Sequence, residues 1–148
     1  MRDVTTKELG TFKTKIMNAL ARSEKINALL NGQFKDHVKG HLFVDDTVKD
    51  TSSYIFFDVY MSEIQPHIKN ISVVIYAIAH RDILDNYSEQ GYFGNRTDIL
   101  SQMIEEALTD EKVRKDFGIG DLNLNAVNIY NANNYYGRIL YFSVPNFR

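Results

Sequence analysis

The chain is 148 residues long, 44% hydrophobic and 24% charged, the profile of one globular domain able to bury a core without covalent staples. It contains no cysteine, which rules out a disulfide framework, a thiolate metal site and a cysteine nucleophile. The net charge of -2 gives no whole-surface case for nucleic acid. No secretory leader is expected behind Met1-Arg2-Asp3-Val4-Thr5, and the longest apolar run, 71–79, is too short for a bilayer.

In chain order, the first element is a helix over about residues 5–30. Phe12, Ile16, Ala19, Leu20, Ser23, Ile26 and Leu30 recur at spacings of three and four and share one face. Thr5 or Thr6 can cap its start, Gly10 weakens the first turns, and Asn31-Gly32 supplies a left-handed stop. Periodicity is then lost over 33–53, a stretch of alternating charge that reads as a long loop or an extended hairpin arm. Residues 54–60 and 71–79 are dense in aromatic and β-branched side chains, as strands are. Their near-continuous apolar character predicts cover on both faces, and the short link between them predicts antiparallel neighbours.

The last third is the most ordered part. Asn95 with Asp98 caps a helix running to about Leu108, whose apolar face is Ile99, Met103, Ile104, Ala107 and Leu108. A further short helix is expected over 111–117, stopped by Gly118-Ile119-Gly120. Strands over 122–130 and 138–144 follow, joined by the polar turn Asn131-Ala132-Asn133-Asn134. The apolar alternation Leu122, Leu124, Ala126 then shifts phase to Val127, Ile129, which predicts a β-bulge. The expected fold is a single α+β domain over 1–148. It has one sheet of about four mainly antiparallel strands, two main helices packed on it (α-β-β-α-β-β), and a long arm at 33–53 after the first helix.

Reaction chemistry finds little footing. His80-Arg81-Asp82 matches a kinase catalytic-loop tripeptide, but Asn86 sits one residue early and no glycine-rich loop precedes it. His37 and His41 have the spacing of a zinc pair, yet Gly40 lies between them and no glutamate follows His37, so solvated loop histidines are expected. A metal-dependent nuclease would want Asp58 on its strand joined by carboxylates and a lysine on the next. Strand 71–79 offers neither, and Asp82 and Asp85 lie beyond its end. Tyr130, Tyr135, Tyr136, Tyr141, Phe142 and Phe147 crowd the closing hairpin. Without a lysine cluster they favour a protein interface over a single-strand nucleic-acid binder. No catalytic, cofactor-binding or metal residue is assigned, and no cofactor is expected.

The element order resembles that of the tail terminator proteins of long-tailed bacteriophages. The likeness is carried by Ile55-Phe56-Phe57-Asp58-Val59-Tyr60, Ile71-Ser72-Val73-Val74-Ile75-Tyr76 and Arg96-Thr97-Asp98-Ile99-Leu100. It is completed by 118–122 and by Tyr136-Gly137-Arg138-Ile139-Leu140-Tyr141-Phe142. The resemblance implies a non-enzymatic virion subunit that forms a ring, a hexamer, on the last ring of the tail tube. Its implied partners are itself, the tail tube protein and the head-tail connector or neck proteins, with DNA passing through the lumen and no membrane. Its place would be the virion, and the host cytoplasm during assembly. A head-completion or neck adaptor subunit is the neighbouring alternative, and a metal-dependent nuclease the alternative of another class. An arm that orders on a partner is expected at Lys39, Asp45, Asp46, Lys49 and Asp50.

Overall fold

The structure is a computed structural model and describes residues 6–44, 48, 50–64, 69–84, 87–89, 91–112, 115 and 122–147. The chain opens with α1 (Lys7–Arg22) and α2 (Glu24–Leu29), where one continuous helix was expected. The break is Ser23, which takes an extended conformation while its hydroxyl accepts the Ile26 N–H at 3.2 Å. The Asn27 amide fastens the corner by donating to the carbonyls of Ala21 and Ser23. The apolar face survives the break, with Phe12, Ile16, Leu20, Ile26 and Leu30 all buried. Gly10 lies inside α1, and Thr6 makes no side-chain capping bond. The stop at Asn31 and Gly32 is left-handed as expected, with φ of 56° and 75°.

The stretch after Gly32 carries regular structure of its own. A single turn, α3 (Phe34–His37), leads into β1 (Val38–Lys39), which pairs parallel with the start of β2 (Ser53–Ile64). β2 pairs antiparallel with β3 (Lys69–His80), in the register Ser53 opposite Ala79 and Asp58 opposite Val74. A 3-10 turn, Arg81–Ile83, precedes the small hairpin of β4 (Tyr87–Glu89) and β5 (Tyr92–Gly94), which sequence periodicity did not reveal. The helix α4 (Arg96–Thr109) follows, and the chain closes with β6 (Asn123–Ala132) and β7 (Tyr135–Phe147). Glu111, Lys112 and Lys115 are helical; the rest of the helix expected over 111–117 and the glycines at 118 and 120 lie outside the described residues.

The main sheet has the order β1-β2-β3-β7-β6, with its four long strands antiparallel. Residues opposite each other share a face, so the register sorts the side chains. Ile55, Phe57, Val59, Val73, Ile75, Ala77, Leu140 and Phe142 form one face, buried under α1, α2 and α4 together with Phe12, Ile16, Leu100 and Met103. Tyr54, Phe56, Ile78 and Tyr135 form a smaller cluster on the other face, covered by Val44, Leu42 and Val48. That cover explains why β2 and β3 read as apolar on both sides.

Gly137 is required by packing: a Cβ there would stand 1.9 Å from the Ala77 carbonyl oxygen of β3. The β6–β7 turn is built by Asn133 and Asn134, both at positive φ (50° and 70°). That is the two-residue turn whose twist suits a hairpin, and asparagine is one of the few side chains that tolerate it. The expected bulge is present, one step before the expected phase change between Ala126 and Val127. Leu124 is opposite Phe142 and Ala126 opposite Tyr141, which leaves Asn125 as the extra residue.

Candidate functional site

The two outer edges of the sheet are treated differently by the fold. At the β2 edge, β1 covers Ile55 and Phe56. Next along, the Asp58 carboxylate accepts the Val59 N–H at 2.8 Å. Lys13 of α1 closes over it, 2.9 Å from the same carboxylate oxygen and 3.0 Å from the Gly40 carbonyl. An edge so covered by a strand, a carboxylate and a lysine is a poor template for another chain.

The β6 edge has no such cover. β6 pairs on one side only, with β7. Helix α4 packs over β3 and β7 and stops a strand short. Asn123, Ala126, Asn128 and Asn131 are exposed, and so are Val127 (48%) and Ile129 (73%). The ten residues Asn123–Ala132 contain no charged residue and no proline, so the usual devices that blunt an edge strand are missing apart from the bulge at one end. Val127 lies opposite Leu140 and Ile129 opposite Arg138, which places both on the helix-bearing face; Ile129 borders a hollow beside Thr97 and Asp98 at the start of α4. Beside them, Arg138 donates to the Asp98 carboxylate at 2.7 Å. That bond and the Asp98 charge raise the Arg138 pKa above its ordinary value. Asp98 therefore binds β7, while the α4 cap is made by Asn95 alone, whose oxygen accepts the N–H groups of Thr97 and Asp98.

The residues expected to carry function are scattered. Of the expected arm, Asp45, Asp46 and Lys49 lie outside the described residues. Lys39 is in β1, its ammonium donating to the Lys35 carbonyl. Asp50 takes the Tyr54 hydroxyl on its carboxylate and the Tyr135 hydroxyl on its backbone oxygen. With Val44 buried, the described part of this stretch is a cover on the sheet, where a loop or extended hairpin arm was expected.

His37 corrects the expectation of a solvated loop histidine. It is buried (5%), its ring stacks on Tyr54 with centroids 4.3 Å apart, and Nδ1 stands 2.9 Å from the Ser53 carbonyl. His41 accepts the Phe43 N–H, and His67 lies outside the described residues. Among the described residues no group of three or more metal-ligating side chains comes together. Asp58 does not meet Asp82. Its partner Val74 is six residues from His80, the end of β3, so roughly 20 Å of strand separates the two carboxylates. Asp85 lies outside the described residues.

Two of the aromatics expected at an interface are core instead: Tyr135 is 6% exposed and Phe142 1%. Tyr130 leans on Tyr76, with ring centroids 5.2 Å apart. The exposed large apolar side chains are Phe43, Tyr60, Ile64, Phe93, Val127 and Ile129. Sequence reasoning named Val127 and Ile129 as strand residues without seeing that they stay exposed.

A hollow lies where α1 and α2 meet α4, lined by Arg22, Glu24, Lys25, Glu106, Asp110 and Lys112. Its charges answer one another. Lys25 reaches the Tyr92 hydroxyl at 3.0 Å, and that hydroxyl donates to Glu106 at 2.6 Å. The Tyr92 bond raises the Lys25 pKa above its ordinary value, with Glu106 adding. This network pins the β4–β5 hairpin to the helices.

The YomW family pattern matches residues 12–144, all of the structured core. The chain belongs to the YomW family. The family carries a phage-derived name of the Bacillus SPbeta-like kind, which points to a phage origin. No curated protein matches this YomW-family chain at a significant level. No helix among the described residues is long and apolar enough to cross a membrane.

Proposed function

We propose that this YomW-family chain is a structural subunit of a phage particle: a tail terminator that closes as a ring of six on the last ring of the tail tube. It stops tube growth and joins the tube to the neck or connector, and DNA passes through the lumen without specific binding. The observation that carries this reading is the β6 edge, ten residues without charge or proline, exposed on both faces. A strand edge of that kind recognises another extended chain through its backbone groups. The phage-derived family name and the order of elements agree with it. The separation of Asp58 from Asp82 speaks against the nuclease alternative.

The test is tube capping. The tail tube protein of the same virus is polymerised with and without this chain, and tube lengths are measured by electron microscopy. Tubes of one length bearing a ring at one end are expected. Unchanged lengths with bare ends would overturn the reading, and binding to the connector without any effect on tubes would replace it with a neck adaptor.

A further inference from the structure

We infer that before assembly two copies of the chain pair with each other, β6 against β6, about a two-fold axis through Asn128. The pairing joins two five-stranded sheets into one continuous sheet, and it goes beyond the ring reading.

Four observations lead there. Among the described residues no strand neighbours β6 on its outer side, and α4 packs mainly on β3 and β7, so a second domain can approach edge to edge. A contact about a two-fold sets each residue type against its own kind or its mirror partner. A charge at the axial residue would face its own copy, and a charge beside the axis would lie diagonal to its own copy; β6 has none. The opposite edge, at β2, is covered by β1, Asp58 and Lys13 from Ile55 to Val59, whereas β6 offers an edge of ten residues without charge to a partner of the same chain.

The fourth observation is side-chain fit. With Asn128 facing its own copy, the antiparallel register sets Val127 against the second copy's Ile129, and Ile129 against the second copy's Val127. All four lie on the helix-bearing face, where these side chains are otherwise exposed. On the other face the small Ala126 meets the large Tyr130 of the second copy, and the two Asn128 amides meet at the axis. Each amide can donate to and accept from the other. The regular stretch 126–132 follows the bulge at Asn125, so the pairing begins where the ladder becomes regular.

A polar ring has no two-fold between neighbours. The β6 pair is therefore a form that precedes the ring. It occupies the edge until the tube offers another partner, and it keeps free subunits from joining at random.

The absence of cysteine makes the test direct. Opposed residues in antiparallel strands stand about 4.5–5.5 Å apart at Cα, within the range a disulfide spans. Asn128→Cys should form a covalent dimer on mild oxidation, while Gln102→Cys on the exposed side of α4 should stay monomeric under the same conditions. Light scattering of the unmodified chain should give twice the 17.1 kDa chain mass. No more cross-linking at 128 than at 102 overturns the two-fold pairing, and so does a chain that is monomeric at every concentration. A hexamer that falls apart when β6 is altered but shows no cross-link at 128 also overturns it, while leaving the ring reading standing. Cross-linking at 128 together with failed tube capping by the unmodified chain would do the reverse.

Discussion

The two edges of the sheet are built from similar strands and end in opposite conditions. β2 is aromatic and β-branched, with its outer side closed from Ile55 to Val59 by β1 and by the Lys13–Asp58 pair. β6 carries Leu124, Val127 and Ile129 on its helix-bearing face, yet Val127 and Ile129 stand in solvent. The difference does not lie in strand propensity. It lies in how far the helices reach among the described residues: α1 packs on β2, and α4 packs mainly on β3 and β7, with only its N-terminal end near β6. An apolar strand left uncovered by its own domain is a place for another chain.

The most damaging way to break this arrangement is Gly137→Ala. The new methyl would overlap the Ala77 carbonyl, so β3 and β7 must part and the open edge loses its anchor. A loss of about 3 kcal/mol is expected, at the upper end of overpacking costs, read as a fall in the denaturant midpoint. An unchanged midpoint would mean that the strands are not in this contact.

Lys13→Ala opens the closed edge. Lys13 and Asp58 are each more than a third exposed, so the stability change should be within about 1 kcal/mol. The change in association should be large. A chain with two usable edges can add copies at both, so species larger than two copies should appear by sedimentation at high concentration. If the variant keeps the wild-type mass distribution, Lys13 is not what protects that edge.

Tyr135 offers a smaller test, beside the closed edge. Burial raises its phenol pKa above the ordinary value, with the Asp50 carboxylate adding to the effect. A group raised in the folded state contributes stability that is complete below its unfolded value, about 10 for tyrosine. That stability is lost as pH rises through the higher folded value. The wild-type chain should therefore lose melting temperature above about pH 10 more steeply than Tyr135→Phe. Parallel curves would contradict the assignment.

Much of this fold is legible in the sequence, for physical reasons. β2 and β3 announce themselves through dense β-branched and aromatic runs. The Asn125 bulge shows as a change of phase, and the Asn133-Asn134 turn shows through residues that tolerate positive φ. Helix α4 is marked by Asn95 and by the spacing of Ile99, Met103 and Leu108, all buried. The break at Ser23 is hidden because the apolar spacing on either side fits one helix as well as two. α3 and β1 are too short to carry a period, and the burial of His37 depends on Tyr54 and Ser53, more than a dozen residues away.

The open edge is illegible for a different reason. The pattern Leu124, Val127, Ile129 says that one face wants cover, and the same pattern would be written whether the cover came from this chain or from another. Only the placement of α4 over β7 decides it.

The most direct test of the account is the solution mass of the wild-type chain against that of Ile129→Lys, by light scattering over a range of concentrations. Ile129 is 73% exposed, so the variant should fold with stability changed by no more than about 0.5 kcal/mol. A charge at 129, set against the second copy's Val127 and diagonal to its own copy, should leave the variant at 17.1 kDa where the wild type reaches twice that mass. Equal masses at every concentration would show that β6 is not the surface through which this chain assembles.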